Sequence, residues 1–376
     1  MIVFFYYYVN SIYIQIRKFF HFSVLFIGSG KLCSGHKERY NSTVLGRGSM
    51  NYWIILGAGA LLSYILTYLF ILKRPGEGLL LGHDRGRKFA EGSEVNIGKP
   101  TGTGLYFTII FTLVTMACVY LYQYEAALIF GAGVTFLAMI TGLLDDRSKK
   151  AWNEYIKGAL DFGLSLLGGL VCVLFAFGGY VRLGLNGVPV FLTPVVFYIL
   201  AVILFVVSIN ATNATDGIDG LSGTLTVLTI IALAVTAFFN GTLTMNGITI
   251  GIIMICSLAA YLIFNFFPSK VLMGDAGSRA IGFFIAFYAI YLKVPFAYLI
   301  VGLPFLADGG ISILKITVGR LTKKKIILFK NIRTPLHEEL KKNRGFSVPK
   351  VWRTIVIAAA IIDALYILAV VILHRI

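Results

Sequence analysis

The chain has 376 residues, of which 58% are hydrophobic and 13% charged, and its mean hydropathy is +0.84. Soluble domains carry about a quarter charged residues, so this composition argues against a water-soluble protein and indicates a polytopic membrane protein. The net charge of +16 does not predict a nucleic-acid partner, because the basic residues lie between apolar segments. There they indicate membrane topology, contact with anionic lipid or a phosphorylated substrate.

Residues 1–49 form an N-terminal extension that is distinct from the rest of the chain. Two short apolar runs in it are interrupted by Arg17 and Lys18, and a polar, glycine-rich stretch follows. The extension could be a signal-like segment, an extra span or a translated upstream stretch, and Met50 would make a natural start. We assign it no function and treat residues 50–376 as a single integral-membrane domain.

Ten apolar segments of about 20 residues, the length that a membrane-spanning helix needs, follow the extension. A spanning segment must satisfy its own backbone hydrogen bonds, so all ten are predicted to be helices. The predicted fold is therefore all-α, with about ten transmembrane helices. Their approximate bounds are 52–72, 103–122, 126–144, 159–180, 190–209, 221–239, 246–264, 279–294, 297–318 and 352–373.

The distribution of Lys and Arg sets the orientation, because cytoplasmic loops carry an excess of both. One set of loops is strongly basic, and the opposite set holds only Arg182 and Lys293, with Arg375 at the C-terminus. The basic set is therefore predicted to be cytoplasmic, with both ends of the core outside. Five aspartates at segment ends then share the cytoplasmic face, as expected where a cation or polar substrate binds: Asp145, Asp146, Asp216, Asp219 and Asp275.

Asp145 and Asp146 end the third segment. Adjacent helical residues point about 100° apart, so one carboxylate could face a cleft while the other contacts a cation or a neighbouring helix. Lys149, Lys150 and Lys157 follow closely. Acids and lysines at a membrane edge suit a magnesium-bound diphosphate, and a capped, solvated helix end is an equally good interpretation.

The loop from Asn210 to Leu221 joins the fifth and sixth segments and is rich in Asn, Thr, Asp and Gly. These residues offer many hydrogen-bonding groups in little volume, and Gly217 and Gly220 allow a ligand to approach the backbone. Asp219 could instead cap the sixth helix. A cap explains one aspartate but not the whole polar loop, so a binding function is favoured.

Gly274 to Ser278 form an acidic turn that opens the eighth helix. A helix N-terminus favours phosphate, and a carboxylate there can bridge a metal to it. A simple helix cap by Asp275 is the alternative.

Two further ionisable residues lie near the C-terminal end. His337 stands in the basic loop 319–351, where it could bind phosphate or shuttle a proton, although a surface position is the simpler interpretation. Asp308 lies inside the ninth segment, where a charge is costly; a functional role and a packing role between helices are both open.

Four ordered motifs resemble the polyprenyl-phosphate N-acetylhexosamine-1-phosphate transferases. They are Asp145-Asp146, the loop from Asn213 to Leu221, Met273-Gly-Asp-Ala-Gly-Ser278 and Pro335-Leu-His337. The start Thr334-Pro-Leu-His337 and the later Gly345-Phe-Ser-Val-Pro-Lys350 look most like the phospho-N-acetylmuramoyl-pentapeptide transferase (translocase I) branch. The similarity covers about residue 50 to the end.

The resemblance implies magnesium-dependent transfer of a phosphosugar from a UDP donor to undecaprenyl phosphate, which yields a lipid-linked diphosphosugar and UMP. It implies that Asp275 binds Mg²⁺ and that Asp145, Asp146, Asp275 and His337 are catalytic. Residues implied to bind substrate are Thr101, Lys149, Lys157, Asn213, Asp216, Gly217, Ile218 and Asp219. A bacterial inner-membrane location, a cytoplasmic active site and contact with membrane lipid follow, and a homodimer is left open.

This chain departs from the branch at several positions. His337-Glu338-Glu339 stands where the branch usually has three histidines, Leu272 where an aromatic residue is common, and Asn96 where a lysine is common. The favoured donor is UDP-N-acetylmuramoyl-pentapeptide, which gives lipid I for peptidoglycan synthesis. A UDP-N-acetylglucosamine 1-phosphate transferase is the alternative, and a transporter is a remote one, because transporters place charges near the midplane.

Overall fold

The structure, a computed structural model, describes residues 47–84, 86, 96–148, 152–176, 178–182, 187–323, 325–326, 328–329 and 332–374. The predicted extension therefore lies almost wholly outside the described residues. The helices are α1 (Arg47–Lys73), α2 (Glu77–Leu80), α3 (Gly104–Tyr122), α4 (Ala126–Arg147), α5 (Glu154–Val171), α6 (Pro194–Thr215), α7 (Leu221–Phe239), α8 (Met245–Asn265), α9 (Gly274–Tyr291), α10 (Pro295–Val301), α11 (Leu303–Phe305), α12 (Ile311–Leu321), α13 (Leu336–Lys342) and α14 (Val348–Leu373). The predicted all-α class is confirmed.

Eight helices in the described part of the chain are long and apolar enough to cross a membrane: α1, α3, α4, α5 with its extension to Ala176, α6, α7, α8 and α14. A ninth span forms if the pair Pro295–Val301 and Leu303–Leu321, bent by 57°, is counted as one. The predicted segment 279–294 corresponds to α9, which begins earlier and has polar first turns. The prediction of about ten spans is consistent with this count.

Two π-helical segments interrupt the helical pattern. Cys172–Ala176 continues α5, and Leu306–Gly310 lies between α11 and α12. Pro304 and the preceding Gly302 break the helix at the bend, as proline does by removing a backbone donor. The second π segment carries Asp308, so the bend decides where that carboxylate points.

Helix α9 is the centre of the bundle. Every residue from Ala276 to Tyr291 is buried, and its principal neighbours are α4 and α6. Three glycines allow the close approach, as small residues do between membrane helices. A Cβ at Gly142 would collide with the backbone of Asp275, one at Gly104 with Gly277, and one at Gly282 with the backbone of Ser208 and Ile209.

In the part of the chain that the structure describes, two short antiparallel strand pairs complete the fold. Strand β1 (Gly82–His83) pairs with β2 (Pro100–Thr101), and β3 (Tyr180–Arg182) pairs with β4 (Pro189–Phe191). The first pair is tied to the start of α9, because the Leu272 N–H donates to the Pro100 carbonyl at 2.9 Å. The Leu272 carbonyl in turn accepts from the Thr103 N–H at 3.1 Å. These bonds bring Thr101 to the N-terminus of α9.

Candidate active site

The polar motifs lie at one end of the bundle, with Asp145, Asp146 and Asp275 on helix ends rather than in loops. Helix α4 continues through Asp145 and Asp146 to Arg147, and α6 continues to Thr215. Both helices run past the apolar stretches that predict them. The C-terminal ends of α4 and α6 meet the N-terminal ends of α5 and α9 there.

Asp146 holds the N-terminus of α9. Its Oδ1 accepts from the Asp275 N–H at 3.0 Å, and its Oδ2 accepts from the Ala276 N–H at 2.9 Å. The first N–H groups of a helix lack partners within that helix, and a carboxylate there also interacts favourably with the helix dipole. The N-terminus of α9 is therefore capped by a side chain from α4. The N-cap residue of α9, Met273, makes no side-chain capping hydrogen bond.

Asp145, next to Asp146 on α4, points to the start of α5 and contacts Trp152 and Lys157. Its Oδ1 accepts from the Trp152 N–H at 2.8 Å, and its Oδ2 forms an ion pair with Lys157 Nζ. The same ammonium lies 2.9 Å from Asp275 Oδ2. One lysine thus bridges two carboxylates that would otherwise repel each other. We call Asp145, Asp146, Lys157 and Asp275 the carboxylate cluster.

Asn213 fixes the second oxygen of Asp275. Its Nδ2 lies 3.0 Å from Asp275 Oδ1 and 2.9 Å from Ser278 Oγ. The last turns of α6 are therefore joined to the first turns of α9. Asp275 is engaged on both oxygens, which fixes the direction of its carboxylate before any substrate arrives.

Two residues that the sequence analysis did not place in the site lie directly behind the cluster. Arg279 Nη1 donates to Asp161 Oδ1 at 2.8 Å, and Nη2 lies 3.5 Å from Asp275 Oδ2. Arg279, the first residue of the predicted segment 279–294, lies in the second turn of α9 and is 1% exposed. Lys157 and Asp161 are four residues apart, as are Asp275 and Arg279. This spacing places each pair on one helix face, which is the sequence signal that could have indicated Asp161 and Arg279.

His337 is the centre of a second cluster. Asp308 Oδ1 accepts from its backbone N–H at 2.6 Å, and Asp308 Oδ2 lies 2.8 Å from its Nδ1. This pairing directs Nε2 to the other side of the ring, 4.0 Å from Glu338 Oε1. Glu338 is buried and lies 3.5 Å from Lys341 Nζ. We call these four residues the histidine cluster.

The loop after α6 connects the two clusters. A Cβ on Gly217 would collide with the His337 ring, so only glycine allows this contact. Ile218 is buried, and Asp216 is the C-cap residue of α6. Asn213, one turn before Asp216, belongs to the carboxylate side, so α6 reaches both clusters.

Other predicted site residues are placed differently. Asp219 accepts from the Ser269 N–H at 2.9 Å and does not cap α7, whose N-cap residue is Gly220. Thr101 lies beside Gly274 and Asp146, since a Cβ on Gly274 would be 2.7 Å from Thr101 Oγ1. Lys149 lies outside the described residues.

The donor set at the carboxylate cluster fits a divalent cation. Asp145 and Asp275 each direct one oxygen at the position of the Lys157 ammonium. Mg²⁺ commonly takes one or two protein carboxylates together with phosphate oxygens and water. Within the described ranges, no group of three or more His, Cys, Asp or Glu residues is arranged to hold a metal ion. A metal here would therefore depend on ligands from a substrate.

Comparisons with known proteins identify the family of the chain. Residues 127–293 match the model of glycosyl transferase family 4. The chain is 31% identical over 317 residues to phospho-N-acetylmuramoyl-pentapeptide-transferase of Treponema pallidum (strain Nichols), a match that covers 80% of this chain and 85% of that protein. Proteins of the same name in Streptococcus mutans and Streptococcus thermophilus (strain CNRZ 1066) are 32% and 33% identical, each over 65% of this chain and 74% of theirs.

The apolar helices together with the family match and the named relatives define a multi-pass membrane phosphosugar transferase, whose polar clusters lie at one end of the bundle. The chain belongs to glycosyl transferase family 4, in the group of the phospho-N-acetylmuramoyl-pentapeptide-transferases. The family match includes the whole carboxylate cluster, whereas Thr101 and the histidine cluster lie outside residues 127–293. The remote alternative of a transporter is not supported by any of these matches.

Proposed function

We propose that the protein transfers phospho-N-acetylmuramoyl-pentapeptide from its UDP donor to undecaprenyl phosphate, giving lipid I and UMP. The observation that carries this proposal is the Lys157 ammonium held between Asp145 and Asp275 at the ends of membrane helices. A phosphate that arrives from the bilayer and a diphosphate that arrives from water can meet there. The named relatives support the choice of donor, and the basic loops support a cytoplasmic site in a bacterial inner membrane.

The reaction is a phosphoryl transfer, which depends mainly on positioning and on neutralisation of charge. An oxygen of the lipid phosphate attacks the phosphorus that carries the sugar. The bond from that phosphorus to the bridging oxygen of UMP breaks, and UMP leaves. The acceptor phosphate is already anionic, so the protein's main task is to reduce repulsion between the two substrates.

Lys157 is the residue best placed for that task. Its side chain is 29% exposed, whereas the side chains of Asp145 and Asp275 are 4% and 16% exposed. The ammonium can therefore turn from the carboxylates to a phosphate oxygen. Asp145 then has a free oxygen with which to orient the acceptor or to remove a residual proton from it.

Asp275 would hold Mg²⁺, with Asp145 as the nearest further carboxylate. When bound, the ion would neutralise charge on the diphosphate. His337 is oriented by Asp308, and its doubly protonated ring would donate through Nδ1 to Asp308 and through Nε2 to a donor phosphate. Thr101 and the loop from Asp216 to Asp219 flank these groups, and we assign them to donor binding.

A donor comparison tests the proposal. Purified protein in lipid nanodiscs with undecaprenyl phosphate is supplied with UDP-N-acetylmuramoyl-pentapeptide or with UDP-N-acetylglucosamine, and UMP release is measured. Release with the first donor alone is expected. The second donor remains a candidate because Glu338 and Glu339 replace histidines of the family pattern, and release with UDP-N-acetylglucosamine alone would establish that alternative.

Asp275→Asn tests the site itself. The variant keeps the size of the side chain but removes its charge, and turnover is expected to fall by at least about a hundredfold. Glu77→Gln is the matched control, because Glu77 is a half-buried acid that pairs with Arg74 at 2.8 Å. Thermal unfolding should be similar for both variants. Full activity in Asp275→Asn would refute the assignment.

Trapping experiments separate direct transfer from a covalent route. Incubation with the UDP donor alone should leave the enzyme unmodified if the lipid phosphate attacks directly. A phosphorylated aspartate recovered by mass spectrometry would establish the covalent alternative.

A further inference from the structure

Four charged side chains form an alternating network between α5 and α9. Lys157 and Asp161 are one turn apart on α5, and Asp275 and Arg279 are one turn apart on α9. Residues four apart on a helix share a face, so the two pairs lie against each other with opposite charges in contact. Lys157 contacts Asp275 at 2.9 Å, and Arg279 contacts Asp161 at 2.8 Å.

The two cations of the network differ in what they can reach. The Lys157 side chain is 29% exposed, whereas that of Arg279 is 2% exposed. Lys157 can therefore turn to a substrate, but Arg279 cannot leave its pocket. Arginine remains charged under all conditions in proteins, so Arg279 provides a permanent positive charge behind the carboxylates.

The geometry points to Arg279 as a positioning residue that acts through Asp275. Both Lys157 and Arg279 contact the same oxygen, Asp275 Oδ2. When the Lys157 ammonium turns to a phosphate, Arg279 remains as the partner of that oxygen and keeps the carboxylate in place. Asp161 compensates the charge of Arg279 and itself contacts no substrate. This inference rests on the proposed function.

The charge balance explains why such a residue is needed. Without Arg279 and before a metal ion binds, the departure of Lys157 would leave Asp145 and Asp275 as adjacent anions in front of an anionic donor. Like charges at short distance in a partly buried site repel strongly. A fixed buried cation reduces that repulsion without occupying the space in which the donor binds.

The inference is tested by replacing both members of the Asp161–Arg279 ion pair. Asp161→Leu/Arg279→Leu leaves no uncompensated buried charge, and such replacements are often neutral for stability, so the double variant should melt cooperatively. Binding of UDP-N-acetylmuramoyl-pentapeptide without acceptor, measured by calorimetry, is expected to weaken about tenfold, the effect of losing one cation that pairs with a partly buried carboxylate. In an Asp275→Asn background the same change should have almost no effect.

The background comparison separates a positioning role from a structural one. A structural role predicts the same loss with and without the Asp275 carboxylate, because independent effects add, and this result would overturn the inference. Asp161→Asn is the matched control: it retains Arg279 and a hydrogen-bond acceptor, and donor binding should stay within about threefold. An equal loss in Asp161→Asn would also overturn it.

If the double variant loses its cooperative melt, Arg279→Lys is compared with wild type in the same two backgrounds. Its loss of donor affinity is expected to be smaller than tenfold and to disappear in the Asp275→Asn background. Tyr291→Phe, at the other end of α9, should bind donor normally, since its hydroxyl contacts Glu125 and Thr244. Wild-type protein that neither binds nor turns over the donor would refute the proposed function, whereas active wild type with additive losses would refute only the role of Arg279.

Discussion

His337 is 2% exposed although it follows a basic loop. Composition alone favours a surface position for it, and the sequence leaves Asp308 open between function and packing. The two residues are 29 positions apart, and only the bend at Pro304 and the π segment bring the carboxylate to the imidazole. No local pattern encodes that contact, so the sequence indicates the histidine but not its partner.

Asp308→Asn is expected to lower kcat by about 10- to 100-fold, the usual effect of removing a partner that orients a functional group. An amide is uncharged and can donate to Nδ1, so it no longer supports the doubly protonated ring that would join Asp308 to the phosphate. Asp363→Asn is the control, because Asp363 is also a buried carboxylate in a membrane helix but lies outside both clusters. UMP release is the measurement, and equal activity of the two variants would show that Asp308 only packs.

Arg279 shows a different limit of sequence-based prediction at the same scale. The acidic motifs are recognisable because each contains several polar residues in a row, and Asp145, Asp146 and Asp275 do come together. Asp161 lies in apolar sequence four residues after Lys157, and Arg279 directly follows the acidic motif at Ser278. Their contact depends on which faces of α5 and α9 pack together, and a single sequence does not determine that.

At the scale of helices, the apolar runs predict which segments are helical but not where they end. The predicted third segment stops at residue 144, whereas α4 continues to Arg147 and so carries both aspartates on helical backbone. The predicted fifth segment stops at 209, whereas α6 continues to Thr215. These ends are stabilised by contacts with α9 and the histidine cluster, which a hydropathy pattern does not contain.

At Gly142, the single added carbon of an alanine should force α4 and α9 apart. A Cβ there would collide with the carbonyl of Asp275, so Gly142→Ala must move α9 away from α4 and weaken the cap that Asp146 provides. A shift of about 1 Å at a site can cost about a hundredfold in rate, and UMP release should fall by a factor of that order.

Gly133→Ala is the matched control for Gly142→Ala. It lies on the same helix, and a Cβ there would have no heavy atom within 4 Å. Its activity should be unchanged, and its stability should be equal to or slightly above that of wild type, because alanine favours helix. If Gly142→Ala behaves like Gly133→Ala, the close approach of α4 and α9 is not required for the site.

At the scale of the whole molecule, the two clusters lie at the same end of the bundle as the basic loops. The ends of α4 and α6 and the starts of α5 and α9 meet there, whereas Lys293 and Arg182 lie at the other end, beside the β3–β4 hairpin. The count of Lys and Arg predicts the orientation because it is an additive property of whole loops. It requires no knowledge of helix contacts.

Labelling of single cysteines tests this orientation. In a variant without native cysteines, Arg344→Cys and Tyr124→Cys place thiols at exposed positions at opposite ends of the bundle. A membrane-impermeant maleimide applied to intact cells should label Tyr124→Cys and leave Arg344→Cys unmodified, and inside-out vesicles should give the reverse. The lipid phosphate and the nucleotide donor can meet at the carboxylate cluster only if that end faces the cytosol. Labelling of Arg344→Cys from outside would therefore contradict the orientation and the proposed route of the donor together.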